Sequence, residues 1–211
     1  MTEQTTRERR LEIVAAVLLS LATVATAWAA YQARQWTGEQ AHGYSRATAA
    51  RIAVNRTAAI ANRQLQIDVA TFIQWVDARE LGRDKLADFY RARFRDEFQP
   101  AFAAWLATKP FENADAPETP FAMPTYRLKA NTEADRLEAT AAARSNLAAA
   151  ANQRANNYML AVVLFASSLF FAGISSKLDS IGVRTAILAF GWILFLGTLV
   201  WLATLPIRVT I

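Results

Sequence analysis

Cysteine is absent from this chain of 211 residues, and histidine occurs once, at His42. The first absence excludes disulfides, thiolate metal sites and a cysteine nucleophile, and the second excludes a pair of histidine metal ligands. Glycine and proline are scarce, with seven and six residues, and four of the prolines lie between Pro110 and Pro124. Most of the chain therefore lacks helix breakers. Charge is missing altogether from Ile13 to Ala33, from Ala155 to Ser176 and from Thr185 to Ile207. Regular alternation of apolar and polar residues, which a membrane β-barrel needs, is also lacking. No phosphate loop, nucleophile elbow, zinc motif or nucleotide fingerprint occurs, and the short end segments are too small for a kinase or cyclase domain. No enzymatic activity, cofactor or metal is expected.

The three uncharged runs are rich in Leu, Val, Ile, Phe and Ala, and each reaches the roughly 20 residues that cross about 30 Å of hydrocarbon. They predict transmembrane helices at 13–33, 155–176 and 185–207. Arg7, Arg9 and Arg10 before the first run, with Ala27-Trp28-Ala29 near its end, also resemble a secretion signal. The run is longer than the usual signal core of about 7 to 15 residues, and it reads as an anchor. Arg7, Arg9, Arg10, Lys177 and Arg184 flank the spans on one side, so residues 1–12 and the loop 177–184 are expected in the cytoplasm. Residues 34–154 and the C-terminal 208–211 then lie outside. The outer segment carries 17 basic and 14 acidic residues. With no basic stripe interleaved with aromatics, it shows no nucleic-acid surface. Trp28, Tyr31, Trp36, Tyr158 and Trp201 suit anchors at the outer membrane interface.

Within the outer segment, Gly38 and Gly43 permit a bend before a helix over about 44–80. Ala47, Ala50, Val54, Ala58, Ala61, Leu65, Val69, Phe72 and Val76 recur at about 3.6 residues, nearer an eleven-residue repeat than heptads, so the helix should be nearly straight. Arg51, Arg56, Arg63, Gln64, Gln66 and Asp68 are then left towards water. Gly82 marks a turn and Asp84 an N-cap, followed by a helix over 84–108 that Pro100 kinks or interrupts. A Pro-rich loop, 109–130, reads as an extended connection. A last Ala-rich helix, 131–154, has no breaker before Gly173 and is expected to run straight into the second span.

Helix lengths of roughly 50, 35 and 35 Å do not close into equal layers. Either part of the loop climbs again or the tip of the first hairpin is only two helices deep, and the two-helix tip leaves Phe72, Trp75, Phe89 and Phe94 as the expected contact between copies. In the spans, Ser20, Thr23 and Thr26 are candidates for helix packing or pore lining, and small residues recur from Ala16 to Ser20 and Ala22 to Thr26. Other polar groups read blandly. His42 suits a solvated interfacial residue. Asp77, Glu80, Asp84 and Asp88 do not match a calcium loop and suit caps and surface ion pairs. Lys85, Arg91, Arg93 and Arg95 suit a solvated face, with Asp88 and Arg91 at ion-pair spacing. The spans lack a charged centre, which argues against a pump.

The stretch Ala25-Thr26-Ala27-Trp28-Ala29-Ala30-Tyr31-Gln32-Ala33-Arg34-Gln35-Trp36-Thr37-Gly38-Glu39-Gln40 resembles the signature of a bacterial three-span membrane protein family of about 200 residues, known only as a domain of unknown function. The likeness is most specific over roughly the first 45 residues, and the remainder is similar in layout. The resemblance implies a bacterial inner-membrane location and the three-span plan, and supplies no catalytic or binding residue; the abundance of Ala and Arg suggests a GC-rich bacterium. The expectation is an all-α integral membrane protein whose extracytoplasmic domain is a coiled-coil-like helical bundle inserted between spans one and two. Its expected partners are the lipid bilayer, further copies of itself, or another membrane or periplasmic protein. Its expected role is non-enzymatic interaction, scaffolding or sensing, with a passive oligomeric channel as the alternative.

Overall fold

The structure is a computed structural model describing residues 2–208, with side chains from Arg7 onward. It is 81% helical, without strands among the described residues. Five α-helices follow one another: α1 Thr2–Glu80, α2 Asp84–Arg91, α3 Gln99–Ala107, α4 Lys129–Ser175 and α5 Ile181–Ala203, with a 3-10 turn at Pro120–Ala122 before α4. Three of them, α1, α4 and α5, are long and apolar enough to cross a membrane. The chain divides into two compact units, one holding the chain up to Ser45 and from Arg144, the other Arg46–Ala143. Residues 209–211, expected outside the membrane, lie beyond the described residues.

In the first unit, α1, α4 and α5 pack around Leu18, Tyr158, Phe165, Leu188 and Phe195. The buried positions of α5, namely Arg184, Leu188, Gly191, Phe195, Thr198 and Leu202, alternate by four and three residues. That seven-residue repeat is the pattern of shallow left-handed crossings. Small residues let the backbones approach: a Cβ built on Gly191 would meet Leu18 and Phe171 at 3.3 Å, and one on Gly43 would meet the Cβ of Ala148 at 2.8 Å. Large apolar side chains also face outward, with Val24, Phe170, Ile193 and Val200 all more than 60% exposed. Close approach at small residues together with an apolar outer surface is the arrangement that lipid favours.

Several boundaries differ from the sequence reading, and α5 ends at Ala203, short of the Ile207 to which the third span was expected to reach. The helix is not interrupted at Gly38 or Gly43, since α1 runs through both. Gly43 serves close packing against Ala148 rather than flexibility. Arg184, assigned to a loop, lies in the first turn of α5, where its buried guanidinium stands 3.7 Å from Glu12.

In the second unit, α1 ends at Glu80 and the chain turns at Gly82, whose φ of +65° is the left-handed conformation that glycine tolerates. Arg83 N–H donates to the Ala78 carbonyl at 2.9 Å and Gly82 N–H to that of Arg79 at 3.1 Å, the paired bonds of a Schellman cap. Asp84 is the first residue of α2 rather than its cap, and accepts a hydrogen bond from Arg79 at 3.2 Å. The helix expected over 84–108 is two helices separated by 92–98. Pro100 sits in the first turn of α3, where its missing N–H has no helical partner to lose, so it opens a helix instead of kinking one.

The loop after Lys109 is folded against the rest of the unit rather than extended. Trp105 Nε1 donates to the Pro117 carbonyl at 2.7 Å, and Phe121 stacks on Phe98 with ring centroids 5.1 Å apart. Lower in α1, the fully buried positions are Ala47 and Ala61, and those of α4 within this unit are Ala134 and Ala141. The α1–α4 pair there is an alanine-lined stalk.

Candidate functional site

The ring cluster of the second unit is built from Phe72 and Trp75 on α1, Phe94 and Phe98 in the break after α2, and Phe102 and Trp105 on α3. Phe72 meets Phe98, Phe102, Trp105 and Phe121 edge-on. Such aromatic pairs each contribute about 0.5–1.5 kcal/mol beyond their buried area. Of the four residues assigned to contacts between copies, Phe72, Trp75 and Phe94 are therefore buried within the chain, covered by the loop that the sequence casts as a bare connection. Only Phe89 is exposed, with the Arg93 guanidinium 3.5 Å from its ring centroid.

One turn below Phe72, Asp68 is wholly buried, where the sequence reading left it in water. Its Oδ2 accepts hydrogen bonds from Arg95 Nη1 at 2.8 Å and from the Tyr126 hydroxyl at 3.0 Å. Arg95 also donates to Glu97 at 2.6 Å. The break between α2 and α3 and the segment preceding α4 are thereby tied to α1 at one carboxylate. Asp68 Oδ1 and Gln64 Oε1, one helical turn apart, are buried without hydrogen-bond partners. Burial raises the Asp68 pKa above its ordinary value, and the bonds from Tyr126 and Arg95 only partly offset it. Burial, and then the hydrogen bond to Asp68, raises that of Tyr126. Burial disfavours the Arg95 charge, but its contacts with Glu97 and Asp68 outweigh that and raise its pKa.

A legible signal for Asp68 was present. Counting down from Trp75 in sevens gives Asp68, Ala61, Val54 and Ala47, the face that α1 turns inward, whereas the 3.6-residue stripe selected Leu65, which is exposed. Arg95 likewise leaves the solvated face assigned to it. Asp77, Glu80, Asp84 and Asp88 are exposed, and no cluster of three or more metal-ligating side chains occurs among the described residues.

A second polar construction closes the first unit where the chain leaves α5. Gln32, fully buried, donates to the Arg208 carbonyl at 3.1 Å and accepts from its N–H at 3.0 Å. Trp36 Nε1 and the Tyr158 hydroxyl both donate to the Pro206 carbonyl at 3.2 Å. The Arg154 guanidinium lies 4.6 Å from the Trp36 ring centroid, and Arg208 forms an ion pair with Glu39. Trp36 and Tyr158 are thus tail-holding residues rather than outward interfacial anchors. Trp28 and Tyr31 do face outward.

Ser20 and Thr23 are exposed and Thr26 is half-buried. Each hydroxyl donates to the carbonyl four residues earlier, at 2.9, 2.7 and 2.6 Å respectively. Such bonds satisfy a hydroxyl within its own helix, as apolar surroundings require. None of the three joins α1 to another helix by a hydrogen bond among the described residues. No family model, curated protein or solved structure matches this chain.

Proposed function

We propose that this chain is a multi-pass protein of the bacterial inner membrane, anchored by α1, α4 and α5. Its N-terminus is cytoplasmic and the unit from Arg46 to Ala143 lies outside. It performs no chemistry of its own, and works as a self-associating interaction or sensing component. The observation that carries this reading is the stalk. Between Glu39 and Asp68, α1 bears Arg46, Arg51, Arg56 and Arg63 and no acidic residue, and all four arginines are exposed. None of the four has an ion pair with a described residue, and Ile52, Ile60 and Ile67 are exposed beside them. A water-facing helix with unpaired charge and large aliphatics suits a surface that another protein covers.

The mass of the particle extracted into nanodiscs tests the proposal. A multiple of the 23.3 kDa chain mass is expected, and a lone monomer with no bound protein at membrane-like concentrations would reject it. A passive channel is the second reading, favoured by the outward Ser20 and Thr23. It requires several copies around an axis lined by α1, because large side chains fill the interior of the three-helix unit. Ion flux in liposomes that Thr23→Leu abolishes would establish it.

A further inference from the structure

Resting on the self-association reading, we infer that two copies join along one groove of the stalk, related by a two-fold axis that runs along the α1–α4 pair. The groove, about 310 Å³ and open, is lined by Arg51, Val54 and Asn55 of α1 and by Glu138, Ala141 and Ala142 of α4. Arg51 and Glu138 thus stand on opposite walls of one groove. Both are exposed, and neither makes an ion pair or hydrogen bond with a described residue. A two-fold along the helix pair keeps both copies pointing the same way, as a shared bilayer requires. It brings α1 of each against α4 of the other, so Arg51 of one faces Glu138 of its partner twice over.

The groove therefore carries its own complement, which singles out a second copy as its occupant. Val54, Ala141 and Ala142 are small enough for the helices to approach closely, giving a four-helix stalk. Within one chain the buried side chains of this stretch are alanines, whose methyl groups remove little apolar surface from water, so a second layer adds what the pair lacks. The charges set register and exclude wrong partners more than they add affinity, since exposed ion pairs are individually weak.

Charge reversal in trans tests the inference with the full chain in nanodiscs. Arg51→Glu sets an introduced carboxylate against Glu138 between like copies, and Glu138→Arg sets an introduced guanidinium against Arg51. Each variant alone should associate at least about tenfold more weakly than the parent. An equimolar mixture should recover dimers, because a mixed pair opposes unlike charges at both contacts, whereas each single-variant homodimer sets like charges together at both. Helicity from circular dichroism should remain unchanged in both variants, since the two side chains are exposed. If the parent associates but single variants do so equally well, or the mixture shows no recovery, the groove is not the interface, although self-association stands. A monomeric parent overturns both.

Discussion

Asp68 shows how one residue can bind several segments together while working against itself. Its carboxylate holds Arg95 and Tyr126, yet burial favours its protonated form. A group whose folded pKa is raised contributes stability below its unfolded value, near 3.8, and loses it as pH rises through the folded value. Unfolding midpoints should therefore fall as pH is raised from about 4, until Asp68 is ionised in the fold. Asp68→Asn should flatten that dependence. The amide keeps an acceptor for Tyr126, so the change in stability should stay within about 1.5 kcal/mol. Asp68→Leu leaves the Tyr126 hydroxyl without its acceptor and Arg95 with Glu97 alone, and should cost about 1–3 kcal/mol in chemical unfolding. Two glycines give an opposed pair. Gly43→Ala should destabilise, because the added methyl meets Ala148 at 2.8 Å. Gly38→Ala, which meets nothing within 4 Å, should stabilise by about 0.5–1 kcal/mol, since glycine is the more flexible residue in a helix interior. The sequence offered no distinction between these two glycines, because which one faces a neighbouring helix depends on long-range packing.

At the scale of elements, what was legible was whatever local chemistry determines. Uncharged runs gave the apolar parts of α1, α4 and α5, and Gly82 gave the turn after α1. The unbroken passage from Lys129 to Ser175 followed from the absence of breakers. The less visible elements were those whose form is imposed by tertiary partners. Residues 109–128 have no periodicity, yet Phe111, Phe121 and Tyr126 carry side chains that complete an aromatic core. Asp68 lies on the seven-residue face from which the 3.6-residue stripe drifts away, and the use of a buried carboxylate there stays hidden until its partners, 27 and 58 residues away, are placed. The clasp on the chain after α5 was hidden for the same reason, with Gln32 bonding 176 residues away. It makes its own prediction. Gln32→Ala removes both bonds to the Arg208 backbone, each worth roughly 1 kcal/mol, so the Arg208 amide should exchange about tenfold faster or more by hydrogen-exchange mass spectrometry.

At the scale of the molecule, the absence of cysteine becomes an experimental advantage, since any single introduced thiol is unique. With the proposed topology, Lys177→Cys should react with a membrane-impermeant maleimide only in inverted vesicles, and Asp115→Cys only in right-side-out spheroplasts. Labelling of both from the same side would break the three-span plan, and each reacting only from the other side would reverse it. The two readings of function also separate here, because a scaffold that senses or joins needs association without conductance. Liposomes holding the oligomer should show no ion flux above lipid alone, and conductance would transfer the weight to the hydroxyl face of α1.

The alanines buried in the stalk have a consequence for how this protein tolerates change. In most proteins the positions least open to mutation are those holding the largest buried side chains, because losing contact is what harms the fold. Along the stalk the constraint is on addition: Ala47 and Ala61 are buried on the inner face of α1 and offer little contact to lose, and a larger side chain there would push the helices apart. Sequence drift there should pass freely among glycine, alanine and serine and stop at valine, so the region contributing least to stability would be among the slowest to diversify.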